Sequence, residues 1–237
     1  MLSSLLSPIT DYVLPHRCVT CSQLTEESNG LCSKCFSRLN FITSPYCDVC
    51  GVSFEFEIEG RLVCGSCIVA APKYDLGRGL FRFDQESKGL IHAFKYNDQT
   101  IYAKMFARLL LARYRDDLGD VDLVTPVPMN RFKRMFRNYN PPQILAKEIA
   151  KILGRPMVSD ILIKTKWTKA QTSLKKLERE KNLQHSLKIN KKHNIKGSKI
   201  LIVDDVRTTG TTANTCSKLL KKAGAIEVKL LTIGVVD

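Results

Sequence analysis

Long apolar stretches are missing from this chain of 237 residues. No run approaches the roughly 20 residues a helix needs to cross a bilayer, so a helical membrane span is excluded. The start also lacks the charged head, apolar centre and small-residue cleavage site of a signal peptide, and the protein is therefore expected in the cytoplasm. Leu2, Leu5, Leu6, Ile9 and Val13 fall near helical spacing ahead of Pro15. They describe a short amphipathic helix, whose commoner use is to pack on its own domain and whose rarer use is to lie at the periphery of the inner membrane. Neither a Walker A lysine signature nor a G-x-G-x-x-G occurs, which removes two common nucleotide cradles. Acidic side chains are scarce, 23 against 37 Lys and Arg, for a net charge of +14. The imbalance is local: residues 1 to 75 sum to −3 (5 basic, 8 acidic) and the rest to +17 (32 against 15). Residues 164 to 199 alone hold 12 basic and 2 acidic side chains. A field of that sign attracts polyanions, nucleic acid first among them; a solubilising surface without a partner is the plainer reading.

Cysteine, by contrast, is plentiful. Nine cysteines in a reducing compartment favour metal over disulfides. Cys18-x-x-Cys21, Cys32-x-x-Cys35, Cys47-x-x-Cys50 and Cys64-x-x-Cys67 form four knuckles separated by 10, 11 and 13 residues. A two-residue gap turns both sulfurs of a knuckle toward one ion, and two knuckles complete a closed, structural four-cysteine site. Four knuckles supply two such sites. Zinc is the expected ion, with an iron–sulfur cluster as the alternative. Sequential pairing gives two consecutive zinc ribbons, and spacing alone leaves a crossed pairing open. Gly51 and Gly65 each follow a knuckle cysteine and suit tight turns. A unit this small, with few large apolar residues, is expected to fold only with metal bound. Its Phe36, Phe41, Tyr46, Phe54 and Phe56 pack around the knuckles or, less commonly, stack bases. Cys216 stands apart and reads as a small core residue. Ala71-Pro72 is a natural joint, dividing the chain into a metal-binding unit at 1–72 and an α/β domain at 73–237.

The second part alternates strand and helix. Residues 79 to 83 read as a strand, and Ser87 is placed to cap a helix with Leu90, Ile91 and Phe94 on one face, ending at Lys95 and Tyr96. His92 on that helix has no His or carboxylate at ligand spacing. A second helix is expected from Ile101 to Tyr114, then a strand from Asp122 to Thr125 stopped by Pro126-Val127-Pro128. A basic loop follows with Arg131, Lys133, Arg134 and Arg137, and a helix opens at Pro142 and ends at Gly154. Ile161 to Ile163 is a short strand, 164–187 is polar and lysine-rich, and Val228 to Val236 is the closing apolar run. Such alternation predicts a right-handed parallel sheet.

The densest signal is Ile200-Leu201-Ile202-Val203-Asp204-Asp205-Val206-Arg207-Thr208-Thr209-Gly210-Thr211-Thr212. Four apolar residues read as a buried parallel strand. Two carboxylates stand at its carboxyl end, where open α/β sheets bind ligands. A turn rich in hydroxyls then opens a helix whose unpaired N–H groups favour a phosphate. The stretch resembles the phosphoribosyl pyrophosphate (PRPP) loop of the type I phosphoribosyltransferases. That resemblance implies that Asp204 and Asp205 bind ribose hydroxyls and that Thr208, Thr209, Gly210, Thr211 and Thr212 cradle the 5-phosphate. It further implies Arg131 in the pyrophosphate loop and Mg²⁺ accompanying PRPP.

Taken with the zinc knuckles, the Lys95-Tyr96 pair, Pro126-Val127-Pro128, Asn140 with Gln143, and Gln171 with Arg179 and Asn182, the chain resembles the ComF family (ComF, ComFC and GntX-like proteins). The family implies a Rossmann-like type I phosphoribosyltransferase domain behind a double zinc ribbon, and a part in natural transformation and use of external DNA. It departs from the family's Arg-Gly-Phe-Asn-Gln in reading Arg137-Asn138-Tyr139-Asn140-Pro141-Pro142-Gln143. By the same likeness Lys95 joins the PRPP site. Lys166, Lys169, Gln171 and Arg179 fall in the loop that closes over PRPP, and with Arg134 and Arg137 they are also candidates for nucleic acid. Three functions follow: handling of single-stranded DNA with PRPP or a related sugar phosphate as ligand, an active phosphoribosyltransferase, or a scaffold whose ribbons bind a helicase or another competence protein.

Overall fold

The computed structural model describes residues 16–25, 28–56, 60, 62–96, 99–129, 139–164 and 186–236. The expected N-terminal helix lies outside them. In chain order the elements are α1 (Ser33–Phe36), α2 (Gly65–Val69), β1 (Leu76–Arg82), α3 (Gln85–Tyr96), α4 (Gln99–Leu118), β2 (Leu123–Pro126), α5 (Pro141–Leu153), β3 (Leu162–Lys164), β4 (Leu187–Ile189), β5 (Lys199–Arg207), α6 (Thr211–Lys222) and β6 (Glu227–Val235). None of the described helices is long and apolar enough to cross a membrane.

Four strands form one parallel sheet in the order β1-β6-β5-β2. Alternation along β5 decides what each face packs against. Leu201 and Val203 point into a core with Phe81, Phe94, Phe106, Leu110, Leu145 and Ile149, which seats α3, α4 and α5 on that side. Ile200 and Ile202 point the other way, to Cys216 and Leu220 of α6, Ile161, Leu187, and the buried cysteines Cys47, Cys50 and Cys67. All four of these β5 residues are fully buried, as a central parallel strand requires. Cys216 is the core residue its isolation suggested, and burial raises its thiol pKa.

Both edges of the sheet are covered. Residues 40–42 run antiparallel to β1, with Ile42 N–H donating to Leu80 O (3.0 Å) and Arg82 N–H to Asn40 O (2.9 Å). On the other side Val158 N–H donates to Val124 O (2.9 Å) beyond β2. Such covering protects edge backbone from pairing with other chains. Arg78 ties the layers together: its Nε meets Asp117 at 2.7 Å, its Nη1 donates to Asp48 O at 3.0 Å, and its guanidinium lies over the Tyr46 ring at 4.9 Å.

Several expectations need correction. The cap of α3 is Asp84, not Ser87: Asp84 Oδ1 accepts from Ser87 N–H (2.8 Å) while Ser87 Oγ accepts from Asp84 N–H (2.9 Å), a reciprocal box closed three residues on. The second helix extends to Leu118 across a non-helical Tyr114 (φ −124°, ψ 17°), whose hydroxyl donates to Gly79 O at 2.9 Å. β3 is not part of the parallel sheet but pairs antiparallel with β4. Gly51 does adopt a left-handed φ of 71°, and a Cβ there would stand 2.6 Å from Gly77 O. Gly65 instead begins α2 with open space around it.

Candidate sugar-phosphate site and cysteine centres

β5 delivers its two carboxylates at the carboxyl edge of the sheet, beside Thr232 of β6 in register with Asp204. Asp205 N–H donates to Asp204 Oδ1 (2.8 Å), and Lys95, at the end of α3, reaches Asp205 Oδ2 at 2.8 Å. Burial, reinforced by the neighbouring Asp205 charge, pushes Asp204 up to about 8; the Asp205 N–H and Lys95 offset only part of this. Lys95 thus pairs with Asp205, while Asp204 is pushed toward its protonated form.

Gly210 (φ 70°, ψ 0°) turns the chain into α6, whose first helical bond runs from Asn214 N–H to Gly210 O (2.8 Å). Thr209 and Thr211 hydroxyls meet at 3.0 Å. Asp204, Arg207 and the whole turn from Thr208 to Thr212 line one recess of about 40 Å³. That volume is on the scale of a phosphate-sized group, and Asp204 forms one side of the recess. The α6 N-terminus, with its unpaired N–H groups, gives this recess positive potential. Structure therefore brings together Lys95, Asp204, Asp205 and the Thr208–Thr212 turn. Arg131, Arg134, Arg137, Lys166, Lys169, Gln171 and Arg179 lie outside the described residues. His92 is exposed and faces the Tyr96 ring, 4.4 Å between centroids.

The cysteines collect sequentially. The sulfurs of Cys18, Cys21, Cys32 and Cys35 lie within 4.8 Å of one another, and so do those of Cys47, Cys50, Cys64 and Cys67. Sulfur separations of 3.6 Å for Cys21 with Cys32 and for Cys50 with Cys64 match the edge of about 3.8 Å that a tetrahedron with zinc–sulfur bonds near 2.3 Å would have. Both tetrads fit structural zinc. Without metal, burial works against ionisation, yet backbone N–H groups aimed at Cys18 and Cys47 bring them down to about 6 and about 7. Burial raises Cys35, Cys50 and Cys67. One thiol in each tetrad is primed, and the others ionise when the cation arrives, so zinc binding releases protons.

Two contacts join the second tetrad to the recess, and neither was expected from the sequence. Arg207 donates from Nη2 to Cys50 O at 3.1 Å, and Lys73 N–H, just past the second knuckle pair, donates to Asn214 Oδ1 at 2.8 Å. The first tetrad lies elsewhere, along α4, through Tyr102 Oη to Val19 O (2.8 Å) and Arg108 to Ser28 O (2.8 Å).

A parallel sheet ending in this turn, with one cysteine tetrad against it and the other along α4, defines a zinc-ribbon protein carrying a phosphoribosyltransferase-type α/β domain. The double zinc ribbon domain matches residues 9–68 and the phosphoribosyl transferase domain residues 143–233. The chain is 30% identical over 221 residues to Competence protein F of Haemophilus influenzae, covering 90% of this chain and 94% of that protein. It is 27% identical over 206 residues to DNA utilization protein YhgH of Escherichia coli K12 (85% and 88%), and 22% over 218 residues to Competence protein ComFC of Bacillus subtilis 168 (89% and 86%). The chain belongs to the ComF family of competence and DNA utilization proteins.

Proposed function

We propose that the protein handles incoming single-stranded DNA in the bacterial cytoplasm and holds PRPP or a related ribose 5-phosphate at the end of β5. The observation that carries the sugar-phosphate reading is that Asp204 and the Thr208–Thr212 turn face one phosphate-sized recess. Asp205, tethered by Lys95, and Asp204 would take the two ribose hydroxyls, and Mg²⁺ would accompany the pyrophosphate of PRPP.

The DNA reading is supported by the competence and DNA utilization relatives and by a basic face at the opposite edge of the sheet. Lys199 and Lys229, at the amino ends of β5 and β6, are paired with Asp120 and Glu227, and they hold the Asp120 carboxyl down at about 2. Lys191, Lys192, Lys196, Lys218 and Lys222 are exposed and belong to no ion pair among the described residues, and Lys196 packs against Gly224 just past the end of α6. The length of α6, about 18 Å for 12 residues, separates this face from the recess. A strand bound there would leave the recess open.

Single-stranded DNA is therefore expected to bind with an affinity that falls steeply as salt rises. Changing Lys191, Lys192 and Lys196 together to Glu should cut the slope of log affinity against log salt by about 2, near 0.7 per lost phosphate contact. Ribose 5-phosphate binding should not change in that variant. Fluorescence anisotropy of a labelled oligonucleotide from 50 to 300 mM salt measures the slope, and an unaltered slope would count against this face.

A further inference from the structure

The two cysteine tetrads are alike in spacing and unlike in setting. In the second, Cys47, Cys50 and Cys67 are buried and share a core with Tyr74, Ile200, Ile202 and Leu230, and Cys64 is half-buried. Its first knuckle is sealed onto the sheet: Gly77 N–H of β1 donates to Val49 O (2.7 Å), and Gly51 lies so close that a Cβ there would stand 2.6 Å from Gly77 O. An approaching molecule finds those sulfurs covered.

The first tetrad is built more openly. Cys18 and Cys32 are buried, Cys35 is half-buried, and Cys21 is exposed, the one exposed cysteine of the nine. Cys21 sits in a turn, and its Sγ lies 3.6 Å from that of Cys32, which belongs to the other knuckle. This ribbon is fastened to α4 by Tyr102 Oη to Val19 O (2.8 Å) and Arg108 to Ser28 O (2.8 Å).

A cysteine that holds zinc is a thiolate, and thiolates react with two-electron oxidants in proportion to their access. Cys21 has the access. It also has a second sulfur beside it, which diverts a sulfenic acid into a disulfide before further oxygen adds. Closing the gap from 3.6 Å to the bond length of about 2.05 Å asks for a shift of roughly 1.5 Å, within the compass of an exposed turn. Once Cys21 and Cys32 are joined, Cys18 and Cys35 remain, and two sulfurs do not make the four-ligand site of a structural ion.

We infer that the first ribbon is a reversible thiol switch, in which a hydroperoxide joins Cys21 to Cys32 and releases one zinc while the second tetrad keeps its own. The Cys21 thiolate attacks the O–O bond, forming Cys21–SOH and expelling hydroxide. The Cys32 thiolate then attacks the Cys21 sulfur; the S–S bond forms, the S–O bond breaks, and a second hydroxide leaves. With hydrogen peroxide, two electrons pass from the two sulfurs to the oxidant, and both hydroxides take protons from water. A dithiol reductant returns the two electrons, after which zinc reloads the site. Because a unit this small depends on its metal, the oxidised ribbon loosens from Tyr102 and Arg108. The inference stands without the sugar-phosphate reading.

The test uses the full zinc-loaded chain, hydrogen peroxide and a chromogenic zinc chelator, with mass-spectrometric mapping of the disulfides. One of the two zinc ions is expected to leave first, together with formation of the Cys21–Cys32 bond, and the other about tenfold more slowly or not at all. Amide exchange should quicken across residues 16–25 and 28–36 and stay as it was across 47–52. Dithiothreitol with added zinc should restore both ions. Cys21→His supplies a zinc ligand that cannot enter a disulfide, so the variant loaded with two ions should keep both on the time scale of the first release. Peptide mapping of the wild type reads the same point without relying on that variant. Release of both ions together, disulfide formation in the second tetrad first, a disulfide that excludes Cys21, or unaltered first release from Cys21→His would overturn the inference.

Discussion

Asparagine in place of Asp204 is expected to make the protein more stable and less able to hold a phosphorylated sugar. The folded state keeps the Asp204 proton up to about pH 8, whereas the unfolded chain releases it near pH 4. Between those values the folded state binds more protons, so this residue makes stability fall as pH rises, with the full loss present at pH 8 and above. Asp204→Asn removes the slope. Its advantage should vanish near pH 4 and reach on the order of a few kcal/mol by pH 8, read as a rise in Tm across a pH series. Binding should move the other way, by roughly 2- to 10-fold for one altered neutral hydrogen bond. A variant less stable than wild type at pH 8 would contradict the account of a desolvated carboxyl held beside Asp205. Opposite movements in stability and binding are what a residue kept for its ligand should show.

Loss of metal should have unequal consequences at the two tetrads. Cys64→Ser is expected to remove one zinc by native mass spectrometry, to loosen the turn at Cys50, and to weaken ribose 5-phosphate binding about tenfold through the Arg207 contact. Cys21→Ser should remove one zinc as well, yet leave the sugar phosphate within about threefold of wild type, because its tetrad rests on α4. Equal losses at the recess would show that Arg207 does not transmit the state of the second ribbon.

Much of this architecture can be read from the chain because its signals are local. Knuckle spacing requires only that two sulfurs two residues apart face one ion, and the structure groups the eight cysteines in sequence order. The strand ending in Asp204 and Asp205, and the helix framed by Pro141-Pro142 and Gly154, likewise carry their own starts and stops. What could not be read is long-range. The order β1-β6-β5-β2 depends on pairings such as Leu76 with Lys229, 153 residues apart, and Leu123 with Ile200, 77 apart, and Arg207 meets Cys50 across 157 positions. Local competition explains the rest. Ser87 had the chemistry of a cap, but Asp84 sits three residues earlier with a stronger acceptor. β4 lay hidden because the charge of 164–187 and the brevity of Leu187–Ile189 masked the strand pattern. The basic run 164–199 was legible, but that Lys196 packs against Gly224, just past the end of α6, follows only from the fold.

The most direct measurement is amide hydrogen exchange across residues 204 to 213, in the zinc-loaded protein, with ribose 5-phosphate, ribose or inorganic phosphate added. Slowed exchange concentrated at Thr208–Thr212 with ribose 5-phosphate, a weaker effect with inorganic phosphate and none with ribose is the result predicted. Exchange that stays the same there at millimolar ribose 5-phosphate would contradict it.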